Sequence, residues 1–300
     1  MADRARFSRV LGLRSRAKSP KLALHYFRFA KEKQPHMNKQ LLHLTIAAIL
    51  ALAVAGCGEK AKDESASTPA APAATAGKTV DAATAGSVTG TVTLNGTAPT
   101  LKAINMSAEP YCQKAHSSPV IPPEVVTGEK GALADVVIYI KDGLPADYTF
   151  AAPSTSVPLD QRGCMYDPHV IAVMAGQNVE VKNDDQTTHN IHPMPKDNRE
   201  WNKSQPPGAA PIADSFARAE NAIPVKCNVH PWMKSYIFVF KNPYYAVTTK
   251  DGKFELKNLP PGTYTLEAWQ EKYGVVDQTV TVPAKGTATV AFTFKPGSGD

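Results

Sequence analysis

From Ser87 onward, apolar and polar residues alternate with a period of two, the spacing of a strand with one face in a core and the other in water. Val88, Gly90, Val92 and Leu94 hold one side of the first such run. Residues 136–140 are instead continuously β-rich, and Lys141-Asp142-Gly143 closes them. Shorter runs follow at 179–181, 236–240, 253–256, 264–269, 278–282 and 287–294, with Gly, Pro, Asn or Asp between many of them. No stretch of this region carries a convincing helical period. The pattern predicts an all-β chain of one or two antiparallel sandwiches.

The start of the chain reads differently. Residues 41–54 are apolar, preceded by Met37-Asn38-Lys39-Gln40 and followed by Ala55-Gly56-Cys57, the order of an export signal. This apolar core is short for a membrane span of roughly 20 residues. Val54-Ala55-Gly56-Cys57 resembles the lipobox of bacterial lipoproteins. The resemblance implies cleavage before Cys57, lipidation of that cysteine, and a mature chain held to the membrane on the periplasmic side of a bacterial envelope. By its resemblance to enteric lipoproteins, Gly58 in place of Asp implies sorting to the outer membrane over the inner. An uncleaved anchor is the competing reading.

Residues 1–36 fit neither reading and are expected to lie upstream of a native start at Met37; no Arg-Arg pair marks a twin-arginine signal. Residues 37–56 are then the signal peptide. Residues 57–86, rich in Ala, Thr, Ser, Pro and Lys, are expected to be a flexible tether. Residues 1–36 hold ten Lys/Arg against Asp3 and Glu32, and Lys39 adds one charge, so the overall +6 leaves −3 for residues 57–300. A mildly acidic mature chain offers no electrostatic ground for nucleic-acid binding.

Within the β region, Asp251-Gly252 and Pro261-Gly262 predict tight turns, while Phe254, Leu256, Tyr264 and Leu266 alternate toward a core. Residues 248–266 resemble the carboxypeptidase regulatory-like (prealbumin-like) sandwich, which also begins with strands like 88–95 and 134–140. The expected organisation is a first part of that sandwich at 87–148, a second domain at 149–240 inserted in it or fused to it, and the remainder at 241–300.

The chemistry concentrates in Cys227-Asn228-Val229-His230-Pro231-Trp232-Met233. A thiolate, an imidazole and a thioether favour copper over hard ions. The spacing predicts a strand at 223–227 ending on Cys227, a loop carrying His230, and Met233 just before the next strand, so one turn presents three donors. Pro231 stiffens that turn by fixing φ. Upstream, a strand and a polar loop lead into His189-Asn190.

Together these segments resemble the cupredoxins, the amicyanin- and plastocyanin-like blue copper proteins. The resemblance implies a Greek-key sandwich holding one type 1 copper on His189, Cys227, His230 and Met233, with Asn190 tying the two ligand loops together. It also implies that His230 exposes its ring edge within an apolar patch, where a redox partner such as a c-type cytochrome or a dehydrogenase docks transiently. His192 is the competing ligand, expected on the same strand face as His189.

Setting Cys57 aside, Cys112, Cys164 and Cys227 are an odd number for an oxidising compartment. If metal holds Cys227, Cys112 and Cys164 are left to form a disulfide; pairing of Cys227 with either one strands a thiol. Cys112-Gln113-Lys114-Ala115-His116 lacks the second cysteine of a haem-attachment motif, and His116 and His169 are expected to be ordinary surface histidines. No Ser-His-Asp spacing, Walker loop or dinucleotide fingerprint occurs. Four protein ligands leave a copper no open position for substrate, so the expectation is an electron carrier and not an enzyme. The alternative is a lipoprotein that binds or delivers copper, or serves envelope interactions, without passing electrons.

Overall fold

Alternating burial builds most of the computed structural model, which describes residues 77–297. Strand β1 (Gly86–Leu94) is the plainest case, with Val88 and Val92 fully covered and the threonines between them less so. It is central in a three-stranded sheet, antiparallel to β13 (Lys253–Leu259) and parallel to β16 (Thr287–Phe294). A second sheet has the order β12 (Tyr245–Val247), β2 (Val137–Asp142), β14 (Gly262–Gln270), β15 (Gly274–Val282). Val88, Val92, Ile138, Leu256, Leu266 and Phe292, drawn from both sheets, share one core. The turn into β13 needs glycine: Gly252 has φ +66°, and a Cβ there would lie 2.5 Å from the Val92 carbonyl oxygen.

The second sandwich is made of strands that lie between β2 and β12 in the chain. One sheet has the order β5 (Val170–Met174), β11 (Lys234–Phe240), β10 (Glu220–Lys226), β7 (His189–Pro193), β8 (Lys203–Gln205). The other runs β4 (Met165–Asp167), β3 (Val157–Arg162), β6 (Asn178–Asn183), β9 (Ile212–Ser215). Leu159, Val173, Val181, Ile191, Phe216, Ile223 and Val239 fill its core. Strands β10 and β11 form an antiparallel pair, and the turn between them carries Cys227 to Met233. Cys227 lies one residue beyond β10, where the sequence had placed it at the strand's end.

Continuous apolar runs have a separate cause. Ile138 and Ile140 of β2 face the first core, whereas Val137 and Tyr139 turn outward. In β11, Ile237 and Val239 enter the second core while Phe238 and Phe240 face out. The two outward sets meet in a third cluster, with Tyr139 and Phe240 ring centroids 4.9 Å apart and Phe238 and Trp269 also 4.9 Å apart. Strands buried on both faces have no polar side to alternate with.

Two segments depart from the expected organisation. Residues 77–86, read as the end of the tether, lie on the fold: the Lys78 N–H donates to Asp147 O at 2.7 Å and Val80 packs against the first core. Residues 57–76, Cys57 included, and the signal region lie outside the described residues. The stretch near 104–120, read as part of the first sandwich, packs instead on the second through Ile104, Met106, Tyr111, Cys112 and Val120. It holds the short helix α1 (Pro110–Lys114), and a Cys112–Cys164 disulfide fixes it to the turn between β3 and β4.

Candidate metal centre

His189 opens β7, and Cys227 and His230 belong to the turn after the neighbouring strand β10, so sheet pairing brings the three side chains together. Their donor atoms all lie within 4.8 Å of one another, and all three residues are buried. The two Nδ1 atoms of His189 and His230 are 2.9 Å apart, and Cys227 Sγ is 3.8 Å from His230 Nδ1. Met233 is fully buried at the close of the same turn. Its N–H donates to His230 O at 2.9 Å and its carbonyl accepts from the Cys227 N–H at 3.2 Å, which fixes the turn's path. Pro231 is exposed at the tip.

Asn190 joins the two ligand segments. Its Oδ1 accepts from the Asn228 N–H at 2.6 Å and lies 3.4 Å from Cys227 Sγ, while its Nδ2 donates to Asn202 Oδ1 at 2.6 Å. Tyr166 reinforces the junction, its hydroxyl reaching Asn190 O at 2.6 Å and Lys226 O at 3.0 Å.

His192 is not part of the cluster, and the expectation that it shares a face with His189 is corrected. Three residues apart on a strand, the two rings point to opposite faces. His192 Nδ1 instead contacts Asn228 Oδ1 at 3.1 Å, and its Nε2 pairs with Glu200. His116 binds Gly163 O at 2.7 Å, and His169, expected at the surface, is buried against Glu271 and Lys234 O.

The exposed ring edge expected of His230 is also corrected. Its side chain is 0% exposed. The 104–120 segment covers this side: Glu109 Oε2 is 3.9 Å from His230 Nε2, and the disulfide sulfurs lie within 4.8 Å of a ring nitrogen. Trp232 flanks the ring at 5.2 Å between centroids, its indole N–H donating to Cys164 O at 3.0 Å. Among the described residues, His230 Nε2 is one of few buried polar atoms without a hydrogen-bond partner.

The electrostatics suit a soft cation. Burial pushes the Cys227 thiol up, but the hydrogen bond it shares with His189 and those from backbone N–H groups outweigh it and hold the thiol below its ordinary range. Burial, then the charge of His189, lowers His230. For His189 burial acts downward, yet the hydrogen bonds to Asp185 and Cys227 prevail and raise it. A thiol biased toward thiolate beside two imidazoles fits a copper or zinc ion, and no carboxylate oxygen belongs to this donor trio to favour a hard one.

Asp185 and Glu109 are the residues that sequence reading missed. Asp185 stands four residues before His189, but nothing local separates it from Asp184 beside it. Glu109 had no local signal either.

Comparison with known proteins finds one family match and several partial structural similarities. The family model of the carboxypeptidase regulatory-like domain matches residues 237–295, which takes in most of β11 and all of β12 to β16 but neither β1 nor β2. Among solved structures, a purple cupredoxin from Nitrosopumilus maritimus is 18% identical over 28% of this chain and 98% of its own, with TM-score 0.24. A Cu(I) amicyanin variant is 19% identical over 34% of this chain and 97% of its own, with TM-score 0.25. The copper-containing nitrite reductase of Thermus scotoductus SA-01 is 17% identical over 34% of this chain, with TM-score 0.28, and the chain spans only 26% of that enzyme. Scores this low carry no argument about function. No curated protein matches the chain.

Proposed function

We propose that this chain is a lipid-anchored protein of the bacterial envelope that holds one type 1 copper and carries single electrons between redox partners. The observation that carries this reading is the buried convergence of His189, Cys227 and His230 on one point. When bound, copper supplies one-electron chemistry between its two oxidation states. The protein's part is to hold the donors still. The Asn190 and Tyr166 hydrogen bonds lock the ligand segments to each other, Pro231 stiffens the turn, and Met233, which closes it, would offer a thioether sulfur to the ion.

Burial favours transfer over delivery. A metal-handing site presents ligands to an incoming chelator, whereas His189, His230 and Met233 are sealed from water here. Cys57 would supply the anchor, and a c-type cytochrome or a dehydrogenase the transient partner. Titration with Cu(II) tests the reading. The expected result is one equivalent bound, an intense visible band from thiolate-to-copper charge transfer, and reversible electron exchange with a soluble cytochrome. Rapid loss of copper to a weak chelator without electron exchange would instead identify a carrier of the metal itself.

A further inference from the structure

Asp185 is a buried carboxylate whose four hydrogen bonds are fully distributed. Oδ1 accepts from the Gly163 N–H at 2.7 Å and the Tyr111 hydroxyl at 3.2 Å. Oδ2 accepts from the Cys164 N–H at 2.7 Å and contacts His189 Nε2 at 2.8 Å. The side chain is 4% exposed. Each of its oxygens faces two donors, an arrangement that a carboxylate satisfies and a carboxamide, with only one oxygen, does not.

We propose that Asp185 is the positioning residue of the centre, fixing the proton of His189 on Nε2 so that Nδ1 keeps its lone pair toward Cys227 and His230, and linking that ligand to the disulfide-held segment over His230. The inference rests on the metal-site reading given above. A ring nitrogen pinned by a carboxylate sets which nitrogen remains free to bind a metal, and the anion makes that nitrogen a better donor. The linkage runs through one side chain: Gly163 and Cys164 belong to the disulfide-bearing turn, Tyr111 to α1, and His189 to the donor cluster. A purely structural Asp185 would need only the two backbone N–H groups. The contact with His189 Nε2 is the added feature.

Imidazole 1H–15N correlation spectra of the metal-free, full-length protein in detergent test this without any electron-transfer assay. The expected result is a protonated, slowly exchanging Nε2 on His189; a bare Nε2 with the proton on Nδ1 alone overturns the proposal. In Asp185→Ala the protection of that proton is lost and Cu(II) affinity falls on the order of ten- to hundredfold. Asp185→Asn, which removes the charge but keeps an acceptor, shifts the reduction potential of the copper-loaded protein upward. A folded Asp185→Asn protein with unchanged potential and unchanged His189 shifts assigns the carboxylate to the turn alone and overturns the proposal. If neither Asp185 variant folds, the wild-type spectrum decides. A protected Nε2 proton in a protein that fails to exchange electrons supports the positioning role while rejecting the electron-carrier reading.

Discussion

The two sandwiches obey the same alternation but bury different things. In the first, the core is almost wholly apolar, and its buried polar groups, such as Thr248 and Gln270, satisfy nearby backbone. In the second, Gln161, Asn183, Asp185, His189, Asn190, Gln205 and His230 are all buried, most of them joined by side-chain hydrogen bonds. Burying a polar group is unfavourable unless it is paired, so a dense buried network marks where a fold gives up packing for chemistry. The first sandwich is read as scaffold and the second as the working part.

Removing the sulfur breaks this comparison most sharply. Cys227→Ser should abolish the thiolate-to-copper band entirely, read by visible spectroscopy, because no other free cysteine exists among the described residues. Phe292→Ala empties a fully buried position in the first core and should cost about 3–5 kcal/mol by chemical denaturation. In protein that remains folded, the copper spectrum should be unchanged. Replacing Cys112 and Cys164 with serine should cost about 2–4 kcal/mol. It should also free the segment over His230, seen as faster hydrogen exchange there.

Acid should act on the second sandwich through Asp185. Burial pushes its carboxyl up, but His189 and the Cys164 and Gly163 N–H groups prevail and hold it below the ordinary value of 3.8. A depressed carboxyl contributes stability that is fully present above the unfolded value and is lost as pH falls through the folded one. Urea unfolding of the metal-free protein between pH 5 and 2 should show this loss, and Asp185→Asn should lack it. The smallest effect is expected at His192→Ala, within about 0.5 kcal/mol and without change of colour. A lost band there would make His192 a ligand.

What the sequence revealed follows the same division. Val88, Val92 and Leu94 announced their strand because only one face is buried, and the donor spacing of Cys227, His230 and Met233 could be read directly because a single turn holds it. Strands β2 and β11 were visible as apolar runs, but nothing local said that their second faces, Tyr139 and Phe238 among them, pack on each other. Neighbouring acids were equally opaque. Asp184 lies exposed against Arg162 while Asp185 is buried against His189, and only tertiary structure separates them. The cover over His230 comes from residues more than a hundred positions upstream, so local pattern predicted an exposed ring where the fold places Glu109 and Cys112 beside it.

X-ray absorption at the copper edge tests the central claim most directly. The account predicts one sulfur at short, thiolate-like distance and two imidazole nitrogens around a single copper, with the sulfur contribution gone in Cys227→Ser. A shell of only nitrogen and oxygen neighbours, with Cys227 freely alkylated in the folded, copper-loaded protein, would contradict it.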